Sequence, residues 1–335
     1  MKKMNLGHIL LFLCSALLID ASCGQQNKGS NQTVQNLKPE LETPVFNADS
    51  AYSYTEKQVS FGPRVPNTPA HLACADYLTE KLKEFGAEVI VQEAKVKAFD
   101  NTTLNIKNII GQFQPEKNDR ILLFAHWDSR PFADHDENES LRDTPIDGAN
   151  DGAGSVAVLL EIARHLQDNP TYLGIDIIFF DAEDYGIPDH KQVRYTPDSW
   201  CLGSQYWGKN PHKKNYYARF GILLDMVGAP NAQFYREQYS LSFAPNMVDK
   251  IWDTAAQLGY GQWFNNNTGG MITDDHVYVH QHLKIPCVNI IQYDPTTNTN
   301  FGHYWHTHND TMENIDVNTF KAVGQTVMEV IFKEQ

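Results

Sequence analysis

Three short, nearly uninterrupted apolar runs constrain the fold of this chain most strongly. They are IDIIFF (175–180), FGILLDMVG (220–228) and VNIIQY (288–293). A strand that is apolar on both faces has to be covered on both faces, as strands are in a parallel sheet that lies between helices. The sequence therefore predicts a central sheet that is buried under helices on each side.

Segments with helical spacing of apolar residues alternate with strand-like segments. The helical spacing occurs in the segments 68–86, 154–166, 247–258 and 319–333. Further strand-like segments lie at 87–96, 104–113 and 120–126. This alternation predicts an α/β fold with a mixed, largely parallel central β-sheet flanked by helices. We expect residues 45–335 to form a single catalytic domain, because α/β domains of this length are common.

The first 44 residues differ in composition from the rest. Lys2 and Lys3 precede an apolar run at 9–19, and small residues follow it. A run of eleven residues, all apolar except Ser15, is too short for a membrane-spanning helix and is typical of a secretory signal peptide, which we assign to residues 1–22. Residues 23–44 are rich in Asn, Gln, Ser and Lys and predict a flexible linker.

Cys23 follows small residues and precedes a polar tract, which resembles the lipid-attachment cysteine of bacterial lipoproteins. Asp20 departs from that pattern, in which Leu is usual. The alternative is ordinary cleavage and a soluble product. Either way the sequence predicts an exported protein, located in the periplasm or at the outer membrane. Contact with a membrane is expected only in the lipidated form, through a lipid anchor on Cys23.

The charge of the chain limits the class of partner that it can bind. The net charge is −14, and no basic stripe is present, so nucleic acid is not an expected partner.

If Cys14 leaves with the signal peptide and Cys23 carries a lipid, the remaining cysteines are Cys74, Cys201 and Cys287. An odd number predicts no complete disulfide framework and leaves one bridge open.

Acidic residues and histidines gather where the predicted strands end. In open sheets of this kind ligands bind at the carboxyl ends of the strands. Carboxylate and imidazole ligands together suit zinc, which in catalytic sites keeps three protein ligands and one open position. The helical HExxH pattern is absent. The candidate polar residues are His126, Asp128, Asp151, Asp181, Glu183, Asp184, Asp225, Asp274, Asp275, His276 and His306.

These residues lie in motifs that resemble a known superfamily. AHWDS (125–129), GANDGAGS (148–155), FFDAEDYG (179–186) and a C-terminal His resemble the zinc aminopeptidase superfamily. Within it, the chain is similar to the animal-type (type II) glutaminyl cyclases, which have bacterial members. The segments that carry this similarity are LLDMVGAPN (223–231), ITDDH (272–276) and YWHTHND (304–310). The resemblance covers roughly residues 45–335.

The resemblance implies one zinc ion per chain and three groups of site residues. The implied zinc ligands are Asp151, Asp184 and His306. The implied catalytic residues are Glu183 as general acid and base, with Asp225 and Asp274 hydrogen-bonded to one another and to Glu183. The implied walls of the substrate pocket are Trp305, Ile272 and Phe301.

The implied reaction converts an N-terminal glutaminyl residue of a peptide or protein to pyroglutamate and releases ammonia. Zinc would polarise the side-chain amide, while Glu183 would move a proton from the attacking amine to the leaving nitrogen. Two features depart from the family. Asp184 stands where relatives commonly carry Glu, and the segment 186–200 does not align, which leaves the role of Trp200 open.

Other interpretations remain at this stage. A two-zinc aminopeptidase would use His126 and Asp225 for a second metal ion, with Asp151 bridging. An exported binding lipoprotein without chemistry would lack ligands, and none is missing. Individually, Asp151 suits a helix cap and Asp274 the first turn of a helix. Glu183 and its acidic neighbours suit a solvated strand end.

Overall fold

The computed structural model describes residues 39–194 and 196–335. The predicted signal peptide and Cys23 lie outside these ranges. Residues Glu40–Gln335 form one compact unit. Within the described ranges, no helix combines the length and the apolar character needed to cross a bilayer.

Six of the eight described strands form the central sheet. The strands are β1 (Glu88–Lys97), β2 (Thr103–Phe113), β3 (Arg120–His126), β4 (Gly174–Phe180), β5 (Gly221–Asp225), β6 (Phe234–Arg236), β7 (Phe264–Thr268) and β8 (Cys287–Ile291). The sheet order is β1-β2-β4-β3-β5-β8, and β6 pairs with β7 separately. Strands β4, β3, β5 and β8 run parallel, whereas β2 pairs with β1 and with β4 in antiparallel fashion. The predicted mixed, largely parallel sheet is confirmed.

Helices cover both faces of this sheet. The α-helices are α1 (Ala48–Val59), α2 (Pro69–Glu84), α3 (Ser155–Asp168), α4 (Leu202–Lys209), α5 (Gln238–Phe243), α6 (Pro245–Gln257), α7 (Asp275–Leu283) and α8 (Val317–Lys333). Alternate residues of β3 point to opposite faces, as strand geometry requires. Leu123 joins the core beneath α3 and α8, whereas Phe124 joins the core with Trp207 of α4 and Val279 of α7.

The predicted helices and strands all appear, with ends that differ by a few residues. Four helices were not predicted, namely α1, α4, α5 and α7. Asp274 is the N-cap residue of α7, and its carboxylate accepts a hydrogen bond from the Asp275 amide. Asp274 therefore lies where a helix begins, which agrees with one of the interpretations that the sequence left open for it. Asp151 does not cap α3, because Gly154 holds that position.

Candidate active site

The carboxyl ends of the parallel strands meet at one edge of the sheet. His126 is the last residue of β3, and Asp225 is the last residue of β5. The acidic segment 181–184 directly follows β4. A cavity of about 210 Å³ opens at this edge. It is lined by Asp151, Glu183, Asp184, Trp200, Asp225, Met226, Ile272, Thr273, Asp274, Ile291, Phe301, Trp305 and His306.

The structure thus brings all nine of the predicted site residues to one cavity. Trp200, whose place the sequence left open, is a tenth wall residue. The other candidate polar residues named from the sequence, His126, Asp128, Asp181, Asp275 and His276, are not part of the cavity lining. Asp275 is buried at the start of α7, and His276 is paired with Glu237 at 3.2 Å. Asp181 is paired with the buried His71 at 2.8 Å.

Asp151, Asp184 and His306 offer a cluster of metal-ligand atoms. One ligand atom from each lies within 4.8 Å of the others, and all three residues are buried. The Nε2 atom of His306 is 3.3 Å from Asp184 Oδ1 and 3.8 Å from Asp151 Oδ2. The second carboxylate oxygen of Asp184 is buried without a hydrogen-bond partner among the described residues. A buried carboxylate oxygen without a protein donor fits a cation, and one imidazole with two carboxylates fits zinc.

A second cluster shares Asp151 with the first. The Nε2 atom of His126 lies 3.0 Å from Asp151 Oδ1 and 3.4 Å from Asp225 Oδ1. Ligand atoms of these three residues also lie within 4.8 Å of one another. This is the set that a two-metal aminopeptidase would use. The side-chain geometry therefore accommodates both of the enzymatic interpretations.

Asp128 holds the backbone that presents Glu183 and Asp184. Its two carboxylate oxygens accept hydrogen bonds from the Glu183 amide at 3.1 Å and from the Asp184 amide at 3.2 Å. Asp310 does the same for the segment that contains Asp151, because its carboxylate accepts hydrogen bonds from the Asn150 and Asp151 amides. Both acids are fully buried, so the two ligand-bearing segments are fixed from beneath.

A buried ion pair supports His306 and Asp184 from behind. The Nδ1 atom of His306 lies 3.2 Å from the Asp134 carboxylate, which leaves Nε2 to face the cluster. Asp134 accepts two hydrogen bonds from Arg130, at 2.7 and 2.8 Å. Arg130 also donates to the Asp184 carbonyl oxygen at 2.9 Å. Burial raises the pKa of Asp134, but hydrogen bonds from Arg130 and His306 outweigh it and keep that pKa well below its ordinary value.

Residues 108–331 match the family model described as Peptidase family M28. The chain belongs to peptidase family M28. Among solved structures, it is similar to the glutaminyl cyclase of Tannerella forsythia at 59% identity, with a TM-score of 0.86 and coverage of 87% of this chain and 100% of that one. It is also similar to a Zn-dependent exopeptidase from Parabacteroides distasonis at 58% identity, with a TM-score of 0.87 and coverage of 88% and 100%.

A curated relative extends the similarity to animals. The glutaminyl-peptide cyclotransferase of Bos taurus is 25% identical over 310 residues, which is 81% of this chain and 78% of the bovine protein. The chain thus belongs to the M28 branch of bacterial proteins related to the animal-type glutaminyl cyclases. The resemblance on which the sequence interpretation depended is confirmed.

In this M28 protein, Trp200 and Trp305 flank the imidazole of His306. The Trp305 ring lies 3.5 Å from it, centroid to centroid, and the Trp200 ring lies parallel to it at 6.0 Å. The guanidinium of Arg130 lies 4.4 Å from the centroid of the Trp200 ring. A Cβ atom on Gly186 would stand 2.0 Å from the same ring. The close approach of Trp200 therefore requires glycine at position 186.

Burial and crowding favour protonated carboxyl groups in the cavity. Burial is the largest cause of the raised pKa of Glu183, and the carboxylates of Asp184 and Asp274 add to it against the opposing effect of His126. Burial, with Asp274 next, raises the pKa of Asp225 to about 7. A bound dication would lower the pKa of the carboxyl groups that ligate it.

The expected bonds among the three catalytic carboxylates stay a prediction. Asp274 accepts hydrogen bonds from Asn289 Nδ2 at 2.7 Å and from the Asp275 amide at 2.6 Å. The Glu183 carboxylate accepts from the Cys201 thiol at 3.0 Å. Cys74, Cys201 and Cys287 are all buried free thiols, so the bridge that the sequence left open does not form among them.

Backbone strain concentrates beside the site. Non-glycine residues in the left-handed region include Ala182, Cys201, Met226 and His306, with φ between 49° and 56°. Met226 and His306 line the cavity, and Ala182 and Cys201 are each next in sequence to a residue that lines it. Such conformations cost about 1–3 kcal/mol each and persist where the surroundings impose them, as they do at functional sites.

Proposed function

We propose that this protein is a zinc-dependent glutaminyl-peptide cyclotransferase, which converts N-terminal glutaminyl residues to pyroglutamate and releases ammonia. The observation that carries the proposal is the 59% identity, over 87% of this chain, with a solved glutaminyl cyclase. The cavity supports it, because the residues implied by the resemblance all line it. Its volume of about 210 Å³ suits one glutaminyl residue, so the rest of a peptide substrate would extend into solvent.

The proposed zinc ligands are Asp151, Asp184 and His306. Zinc bound there would supply Lewis-acid polarisation of the side-chain amide carbonyl. Asp184 has a shorter side chain than the Glu that is common in relatives. Its backbone is fixed by Asp128 and Arg130, which supports its reach toward the ion.

Glu183 is the proposed proton carrier. The α-amino nitrogen of the substrate attacks its own side-chain amide carbon, a new C–N bond forms, and the bond to the amide nitrogen breaks. Glu183 accepts the proton that the amine loses and delivers it to the departing nitrogen, which leaves as ammonia. No water is consumed. Glu183 suits this role because its partly buried carboxyl lines the cavity beside the metal cluster.

The aromatic walls would hold the substrate in a folded conformer. Trp305, Phe301 and Ile272 are partly buried residues on the cavity wall, and they exclude water and extended side-chain rotamers. Positioning two groups of one molecule for reaction can contribute about 7–11 kcal/mol in favourable systems. This contribution is large because the reaction is a cyclisation.

An aminopeptidase is the second candidate, since His126, Asp151 and Asp225 form a second cluster and one similar structure is described as an exopeptidase. The two functions differ in product. A dipeptide that begins with Gln should release ammonia and no amino acid, and the purified protein should hold one zinc ion per chain. Release of free glutamine with two zinc ions per chain would show the aminopeptidase instead.

The role of Glu183 has its own test. The Glu183→Gln variant should retain zinc and lose turnover, because the amide cannot accept the proton. Glu116→Gln is the matched control, since Glu116 is exposed in the turn before β3, at the opposite edge of the sheet. Loss of zinc from Glu183→Gln would instead make Glu183 a ligand.

We also propose that the protein is exported and acts on peptides or proteins with N-terminal Gln. Support comes from the sequence of residues 1–23 and from the proposed reaction. Labelled palmitate should be incorporated in a bacterial host by the full chain and not by Cys23→Ser. Equal labelling of both would exclude Cys23 as the lipid site.

A further inference from the structure

Cys201 contacts the proposed proton carrier directly. Its thiol donates a hydrogen bond to Glu183 Oε1, with sulfur and oxygen 3.0 Å apart. This is the one side-chain hydrogen bond made to the Glu183 carboxylate within residues 39–194 and 196–335. The cysteine is fully buried, so water does not compete for the thiol. Nothing in the motifs of the sequence pointed to this residue.

The backbone reinforces the same contact. The Cys201 amide donates to the Glu183 carbonyl oxygen at 2.9 Å, and the Leu202 amide donates to the Ala182 carbonyl oxygen at 3.0 Å. Cys201 and Ala182 have φ values of 56° and 52°. These two backbone hydrogen bonds connect the start of α4 to the segment after β4, and one residue in each segment, Cys201 and Ala182, has a left-handed backbone conformation. The sulfur is held against Glu183 by this double connection.

A metal-binding role for the thiol fits less well. Atoms of Glu183, Cys201 and Asp274 lie within 4.8 Å of one another, but thiolate is the form of cysteine that binds metals. Burial, followed by the charge of Glu183, raises the pKa of the Cys201 thiol well above its ordinary value. The thiol therefore keeps its proton and acts as a donor.

We propose that Cys201 is a positioning residue, whose S–H donor holds one oxygen of Glu183 and thereby aims the other oxygen at the substrate. This inference rests on the proposed function of Glu183 as proton carrier. A carboxylate without the bond would sample other rotamers, because Glu183 accepts no other side-chain donor among the described residues. The effect should fall on turnover and leave substrate binding in place.

The experiment compares three substitutions at position 201. Cys201→Ala and Cys201→Gly remove the donor, whereas Cys201→Ser keeps an O–H donor. Glycine adopts positive φ without strain, so Cys201→Gly tests the loss of the donor in a relaxed backbone. Cys74→Ala is the matched control, because it also removes one buried thiol but lies in α2.

We expect Cys201→Ala and Cys201→Gly to lower kcat about tenfold, the scale of one intramolecular hydrogen bond. KM and zinc content should stay near those of the unmodified protein. Cys201→Ser should recover most of kcat, and Cys74→Ala should keep it. An unchanged kcat in Cys201→Gly, or equal loss in the Ser and Gly variants, would overturn the proposal.

A double variant separates this inference from the function on which it rests. In the Glu183→Gln background, Cys201→Ala should change the residual turnover little, because a residue that acts through Glu183 has no further effect once Glu183 is gone. A further tenfold loss in the double variant would overturn the positioning role. Full turnover by Glu183→Gln alone would instead overturn the proposed proton carrier.

Discussion

Replacing Arg130 by Met should destabilise the protein far more than replacing an exposed arginine. The side chains of Arg130 and Asp134 are almost completely buried and share two hydrogen bonds. Without the guanidinium, Asp134 keeps the Asp189 amide and the contact with His306 as partners. Breaking a buried ion pair by removing one partner costs about 3–5 kcal/mol, because the other charge is left uncompensated.

Equilibrium unfolding in urea measures this cost. Arg219→Met is the matched control, since Arg219 pairs with Asp119 at 3.1 Å at the surface, where the two side chains are 32% and 63% exposed. Such surface pairs contribute about 0–1 kcal/mol. At about 2 °C per kcal/mol for a large domain, Arg130→Met should also lower Tm by about 6–10 °C, and Arg219→Met by about 2 °C or less.

The same substitution should weaken zinc binding. Arg130 donates to Asp184 and holds Asp134, which in turn faces His306. Loss of such outer partners of metal ligands typically lowers metal affinity about 10–100-fold, which competition with a chromogenic chelator would measure. If Arg130→Met and Arg219→Met unfold at the same urea concentration and bind zinc equally, the reasoning from buried charge is wrong.

Two further predictions concern metal and pH. Removal of zinc by a chelator should abolish turnover and lower Tm, because Asp151 and Asp184 then repel one another. Adding zinc back should restore the turnover and the Tm. A Tm that does not change with the chelator would mean that zinc does not bind between these two carboxylates. Burial lowers the pKa of His212 to about 4, and its Nδ1 accepts from Trp207 Nε1. Between about pH 4 and pH 6.5 the unfolded chain binds a proton that the folded chain does not, so stability should fall as pH drops through this window. Urea unfolding at several pH values should show a shallower fall for His212→Gln, and identical slopes would contradict the assignment.

The buried sheet could be predicted because its strands are marked by local composition. IDIIFF in β4 and VNII in β8 are apolar on both faces, and all their residues are buried. Helix α7 was missed because its sequence, DHVYVHQHL, combines histidines and β-branched residues, which are weak helix formers. Packing of Val279 against the sheet stabilises the helix, which its low intrinsic helix propensity does not.

The proposed metal ligands could be predicted because they lie after strands, in sequence motifs that resemble those of a known family. Their supporting partners could not, since each support is a contact between distant segments. Asp310 holds the Asn150 amide from 160 positions away, and Cys201 reaches Glu183 across a loop that the motifs do not include. Arg130 and Asp134 lie in irregular structure, where no periodic pattern marks an ion pair.

The wide spacing of the three proposed ligands has a consequence for biogenesis. They come from the turn before α3, from the segment after β4 and from the loop between β8 and α8. A nascent chain therefore lacks a complete set of the proposed ligands until His306, 29 residues before the last residue of the 335, has emerged. Metal binding by this set of proposed ligands therefore requires a chain that is almost completely synthesised and folded.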